Sequence, residues 1–235
     1  MEGLPERAAT RVPRHRRAVR LTHWVNALAF AALLISGVMI LTAHPRFYWG
    51  ETGFFDTPAA FELPMKPILE DLWVRAYGRN VHFLMAWAAV LNGLFYAAWG
   101  ILTGHFRSRF LPARRELAWT SVKQVLMTHL RFHNPSSASG YNLLQKLAYA
   151  FVVFALLPLL ILSGLTMSPA VTAAFPQLFT LFGGRQSART IHFLLGVALS
   201  GFAAVHVFMV YLSGFRTTTA QMIWGEPRSH KEESE

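Results

Sequence analysis

Cysteine is absent from the chain. Disulfides, thiolate-held iron–sulfur clusters and groups attached through a C-x-x-C-H motif are therefore excluded. Charge is scarce as well: 14% of the 235 residues are Asp, Glu, Lys or Arg, whereas 53% are hydrophobic. A soluble domain of this size would carry more charge. The scarcity is concentrated in four stretches, Leu21–Thr42, Asn80–Thr103, Leu147–Met167 and Thr190–Phe215, which hold no Asp, Glu, Lys or Arg at all. A bilayer core about 30 Å thick is crossed by about twenty helical residues, so each stretch is long enough to span. None reads as a strand, and unpaired backbone in lipid excludes open sheets. The expected fold is an all-α integral membrane protein, a four-transmembrane-helix bundle. It forms one domain over residues 1–235, with spans at about 21–42, 79–103, 143–168 and 187–215. The first run is longer than a signal-peptide core, and no A-x-A-type cleavage site follows it.

The net charge is +10, which in a soluble protein would suggest nucleic acid. Here the basic residues flank the spans. Lys and Arg number six up to Arg20, seven from Gly104 to Lys146 and three from Phe215 onward. The connections 43–79 and 168–189 carry only four and two. The positive-inside rule then places both termini and the middle loop in the cytoplasm. The arm "RVPRHRRAVR" becomes an anchor on anionic lipid rather than a nucleic-acid arm.

The connections carry their own signals. In the outer loop 43–78, "HPRFYWGETGFFDTP" contains Tyr48, Trp49, Phe54 and Phe55, suited to an interfacial aromatic belt. The following "PMKPILEDLWVRAYG" is expected to form a short surface helix. In the cytoplasmic loop 104–142, "LAWTSVKQVLMTHLRFH" reads as a basic amphipathic helix on the membrane surface. Pro158 is expected to kink the third span.

Histidine is what the apolar stretches keep. Six of the ten histidines, His15, His44, His105, His129, His133 and His230, lie in loops, the arm, the tail or at a span edge. His23, His82, His192 and His206 lie inside spans, where an ionisable side chain is costly and points to function. The topology puts His23 and His206 at the cytoplasmic level and His82 and His192 at the outer level. Within the fourth span His192 and His206 are fourteen residues apart. That spacing turns 1400°, about 40° short of four full turns, and rises about 21 Å. One face of one helix thus presents an imidazole near each membrane surface, and each meets an imidazole from a different helix. Two trans nitrogens per site suit a six-coordinate, non-covalently bound b-type haem. Two such haems are expected, one on His23 and His206, the other on His82 and His192.

Two further patterns accompany the histidines. R-x-x-H occurs at Arg20–His23, Arg79–His82 and Arg189–His192, which puts an arginine one turn nearer the surface on the same face. A haem propionate would lie there, and guanidinium binds carboxylate as a bidentate fork. Gly37, fourteen residues after His23, and Gly93, eleven after His82, offer a small residue at the level of the opposite site. Gly196 and Gly201 lie between the two ligands of the fourth span. Rival uses of four membrane histidines lack parts. The spans hold no Glu or Asp for a di-iron site or a proton relay. A zinc site would need its ligands together rather than split across about 21 Å.

With these residues in view, the chain resembles the bacterial di-haem cytochrome b superfamily, which includes b561-type cytochromes. The cytochrome b subunits of nickel–iron hydrogenase, formate dehydrogenase and thiosulfate reductase belong to it too. The matching stretches are "RLTHWVNALAF", "GRNVHFLMAW", "YNLLQKLAY" and "ARTIHFLLGVALSGFAAVHVF". "HPRFYWGETG" and "GGRQSARTIHF" look most like the thiosulfate-reductase-type branch. The resemblance implies a membrane subunit passing electrons between the quinone pool and a periplasmic redox partner, in that branch a molybdopterin oxidoreductase. In the formate dehydrogenase branch the resemblance also implies a quinone near the cytoplasmic haem, beside a "YN-x-G-Q-K" start to the third span. Asn142 and Gln145 match that pattern, while Leu144 replaces its glycine. Two other readings stay open: a self-contained b561-type oxidoreductase acting on a small molecule such as superoxide, and a haem-free anchor or transporter.

Overall fold

The protein is described here by a computed structural model covering residues 16–53, 57–64, 72–106 and 143–225. Among these residues the architecture is helical, with α1 Arg17–Ala43, α2 Leu72–Leu102, α3 Leu143–Phe151, α4 Leu157–Thr166, α5 Pro169–Ala174, α6 Pro176–Phe182, α7 Arg185–Leu212 and α8 Phe215–Ile223. A two-residue antiparallel hairpin, β1 (Arg46–Phe47) with β2 (Phe61–Glu62), follows α1. Four helical stretches, Arg17–Ala43, Tyr77–Leu102, Gln145–Thr166 and Arg185–Leu212, are long and apolar enough to cross a membrane. Helices satisfy their own backbone polar groups, which lipid cannot do. Leu28, Leu84, Leu91 and Phe208 are exposed along them, as lipid-facing side chains are. The chain is a multi-pass membrane protein.

The same rule governs the few hydroxyls within the spans. Thr22, Ser36, Thr166 and Ser200 each donate to the carbonyl four residues back, at 2.7–2.8 Å, so these four hydroxyl protons are not left bare in an apolar medium. Helix pairing uses a small residue and an amide. At Gly78 an added Cβ would come within 2.9 Å of the Met39 Cβ, so α2 approaches α1 as closely as it does only because that residue is glycine. Lower in the pair, Asn92 Nδ2 donates to the Thr22 carbonyl and to Asn26 Oδ1, both at 2.8 Å. Close backbone packing is concentrated within α1–α2 and within α4–α7. The bundle is therefore two helix pairs facing one another, and the membrane histidines look across the division.

Several boundaries differ from the sequence expectations. α2 begins at Leu72 rather than near residue 79 and runs for 31 residues, about 46 Å, longer than a bilayer core. Leu72–Gly78, expected in a separate surface helix, are its first turns; residues 65–71 lie outside the described residues. The third span is not simply kinked at Pro158. A π-helical turn, Val152–Leu156, joins α3 to α4, and the Leu157 N–H reaches back to the Val152 carbonyl. Proline lacks an N–H and its ring clashes with the carbonyl four residues earlier. Opening the ladder by one residue just before Pro158 lets the helix pass through. The connection 168–184 folds as the short helices α5 and α6, each with a proline in its first turn. After α7, the chain turns at Ser213–Gly214 into α8, where only a tail was expected.

α8 returns to the start of α1. Arg20 Nη1 donates to the Ile223 carbonyl at 3.1 Å and Trp24 Nε1 to the Met222 carbonyl at 3.2 Å. These are last-turn carbonyls with no partner inside their own helix, and a cation there also suits the helix dipole. The two ends of the described chain thus lie together, as an even number of crossings requires. Phe54, Phe55, the basic stretch 117–133 and the acidic tail lie outside the described residues.

Candidate functional site

The four membrane histidines come together two by two. The rings of His23 and His206 have centroids 6.3 Å apart, and those of His82 and His192 are 6.2 Å apart. Among the described residues no group of three or more His, Asp or Glu side chains gathers as a metal site. The donor sets are pairs of imidazoles only.

The His82/His192 pair is the more tightly held. Ser36 Oγ lies 3.0 Å from His82 Nδ1. Ser163 Oγ lies 3.1 Å and the Leu160 carbonyl 3.0 Å from His192 Nδ1. Each of these serines is followed by a glycine that receives the ring. A Cβ at Gly37 would be 3.6 Å from His82 Cε1, and one at Gly164 would be 3.2 Å from His192 Cε1 and 3.5 Å from its Nδ1. Sequence reasoning singled out Gly37 but missed Ser36, Ser163 and Gly164. The available signal was the dipeptide Ser–Gly in the first and third spans, "ISGV" and "LSGL".

At the other level, His23 Nδ1 is buried without a hydrogen-bond partner among the described residues. His206 stacks on Phe202, centroids 6.1 Å apart and planes 14° apart, with Tyr149 edge-on at 6.2 Å.

The start of α7 is clamped by the chain that follows α1. Gly183 and Gly184 have φ of 67° and 108°, left-handed values that favour glycine. A Cβ on Gly184 would also overlap the Gly50 carbonyl. That carbonyl accepts the Gln186 and Ser187 N–H groups at 3.0 and 3.2 Å, two of the donors a helix N-terminus leaves unpaired. Ser187 Oγ accepts the Gly50 N–H at 2.7 Å, and Thr190 Oγ1 donates to the Tyr48 carbonyl at 2.8 Å. Phe47, 1% exposed, packs against Phe61 and Phe193. Tyr48, expected in an interfacial belt, is instead only 8% exposed, its ring lying against Gly53; Trp49 is exposed. The Arg46–Glu62 ion pair across the hairpin is about half exposed and contributes little.

The three arginines of the R-x-x-H pattern fare differently. Arg20 is held by α8, as described above. Arg189 Nη2 donates to the Arg46 carbonyl, and its guanidinium lies 5.2 Å from the centre of the Phe47 ring. Both keep a buried Nε without a partner among the described residues. Arg79 is exposed. Gly93, Gly196 and Gly201 face open space, with nothing within 4 Å of an added Cβ. Gln145 is half-buried on α3, one turn before Tyr149. Asn142 lies outside the described residues.

These residues fit a haem. A metal–imidazole bond is about 2 Å, and the ring centroid lies about 1 Å beyond the nitrogen, so two trans imidazoles on one metal have centroids about 6 Å apart. Both pairs have that separation. The division between the helix pairs, the open space at the glycines and the orphaned donors of Arg20 and Arg189 suit a flat macrocycle with acidic edges.

Comparison with known proteins agrees. The chain is 32% identical to a putative protein-methionine-sulfoxide reductase subunit, YedZ1, of Azospira oryzae, over 83% of this chain and 88% of that protein. It is 27% identical to a probable Ni/Fe-hydrogenase B-type cytochrome subunit of Cupriavidus necator, over 88% of this chain and 83% of the relative. The corresponding probable subunit of Azotobacter vinelandii is also 27% identical, over 86% and 81%. No solved structure matches the chain. The profile of the prokaryotic cytochrome b561 family matches residues 14–225, and the chain belongs to that family of membrane-embedded b-type cytochromes.

Proposed function

We propose that the protein is a di-haem electron carrier linking the quinone pool to a redox enzyme on the opposite side of the bacterial inner membrane. The supporting observation is the two facing imidazole pairs, each at the separation of trans ligands, set at two levels of α7. Haem, when bound, supplies a one-electron Fe(III)/Fe(II) couple. The chain's residues do the rest. His23 and His206 hold one group, and His82 and His192 the other. The apolar walls keep water away, and the spare Nε donors of Arg20 and Arg189 bind propionate edges. Arg79 lacks the burial that would make it a third such contact.

The distribution of Lys and Arg orients the bundle, with both termini cytoplasmic and the His82/His192 level outward. Quinone then exchanges electrons near His206 and His23, with Gln145 and, on the sequence pattern alone, Asn142 as its contacts. The redox partner docks on the outer side, on the hairpin 46–62 and the helices α5 and α6. The relatives named as subunits of a methionine-sulfoxide reductase and of hydrogenases support an oxidoreductase partner. The thiosulfate-reductase-like stretches favour one of the molybdopterin class. A self-contained oxidoreductase is the competing reading, and co-purification of a partner subunit separates the two.

The deciding measurement is a dithionite-reduced minus oxidised spectrum with haem counted per polypeptide. Sharp b-type bands at two haems per chain are expected. Protein from haem-sufficient cells lacking those bands would exclude the proposal.

A further inference from the structure

The two histidine pairs differ in what their second ring nitrogen meets. A serine hydroxyl carries one hydrogen. Ser36 donates it to the Ala32 carbonyl at 2.7 Å, and Ser163 donates it to the Leu160 carbonyl at 2.9 Å. Each oxygen then offers its histidine an acceptor at Nδ1. With the proton on Nδ1, Nε2 is left with the lone pair a metal requires. The Leu160 carbonyl, 3.0 Å from His192 Nδ1, reinforces the same tautomer. At the other level His23 Nδ1 has no acceptor among the described residues, and His206 is flanked by the faces and edges of Phe202 and Tyr149.

An imidazole that gives up part of its Nδ1 proton to an acceptor is a more basic donor through Nε2, and a more basic axial ligand favours Fe(III) over Fe(II). Resting on the two-haem reading above, we propose that Ser36 and Ser163 are positioning residues. They fix the tautomer and orientation of His82 and His192 and hold the haem at that level at a lower potential than the haem of His23 and His206. The Ser–Gly dipeptide is the unit that does this on each helix. On α4 the absence of a Cβ at Gly164 also gives the His192 ring room, and on each helix the serine accepts the Nδ1–H hydrogen bond. Ser200–Gly201 repeats the dipeptide on α7, yet Gly201 faces open space and Ser200 bonds only the Gly196 carbonyl among the described contacts, so it serves as the internal control.

Redox potentiometry on the purified full-length protein tests this, with each couple assigned through His82→Ala and His206→Ala. Two separated couples are expected, the lower one disappearing in His82→Ala. Ser36→Ala and Ser163→Ala, on different helices, should each shift the lower couple upward, leave the upper couple in place and retain both haems. Ser200→Ala should move neither couple. Ser36→Thr and Ser163→Thr keep the hydroxyl and should leave the lower couple near its wild-type value. The proposal is overturned if the lower couple belongs to His23/His206, if both alanine variants leave it unmoved, or if they shift both couples together. Loss of a haem with the serine would show a purely structural role and overturn it too. Wild-type protein with fewer than two haems would refute the two-haem reading itself; two haems with unresponsive couples would refute only the tuning.

Discussion

Gly164 is the position where one methyl group should matter most. Its Cβ, if present, would lie 3.2 Å from His192 Cε1 and 3.5 Å from Nδ1. The ring cannot retreat without loss, because Ser163 Oγ and the Leu160 carbonyl hold Nδ1 at 3.1 and 3.0 Å from the same helix that would carry the new methyl. Gly164→Ala therefore forces a shift of a few tenths of an ångström in the ring or stretches both contacts. Overpacking of this kind costs about 1–3 kcal/mol, roughly five- to 150-fold in an affinity that depends on the ring's position. Alanine is otherwise better than glycine in a helix by about 1 kcal/mol, so the helix itself should not suffer. Gly37→Ala is the matched comparison. Its Cβ would sit 3.6 Å from His82 Cε1, ordinary contact, and haem retention should be unchanged. The assay is haem per polypeptide after detergent purification and dilution, read from the reduced-minus-oxidised bands. Gly164→Ala is expected to lose the haem of His82/His192 preferentially while remaining folded by circular dichroism. Equal retention in the two variants, or greater loss in Gly37→Ala, would refute the reasoning.

Other consequences are as direct. His82→Ala should remove one haem and spare the other, and His206→Ala should do the reverse, because the two levels are about 21 Å apart along α7; folded variants that each lose both would refute the pairing. Thr190→Val keeps the shape but leaves the buried Tyr48 carbonyl without its 2.8 Å donor, a cost of about 1–3 kcal/mol; it should lower the thermal midpoint and open the 46–51 segment to protease, and an unchanged digestion pattern would count against the clamp. Asn92→Leu removes both interhelical bonds to α1 and should destabilise by about 0.6 kcal/mol, at most about 1.7, seen as a small fall in the thermal midpoint with haem content intact.

The amino-acid order alone determined much of this protein. Charge-free runs of sufficient length dictated four spans, because a bilayer accepts little else. Fourteen residues between His192 and His206 dictated that one helix serves two levels, because helical periodicity is a property of the local backbone. Pairing across helices is not local. Each partner was inferred from topology, but the distances of 6.3 and 6.2 Å come only from how α1–α2 and α4–α7 face one another. Tertiary structure also decided what a periodic pattern could not. Arg20 and Arg189 share one motif, yet one caps α8 and the other grips the hairpin, since the nearest unpaired carbonyl differs at each end of the bundle. Ser36 and Ser163 looked like small residues in greasy helices. Only the approach of a histidine from another helix turns each hydroxyl, its proton already committed to its own backbone, into an acceptor for a ring nitrogen.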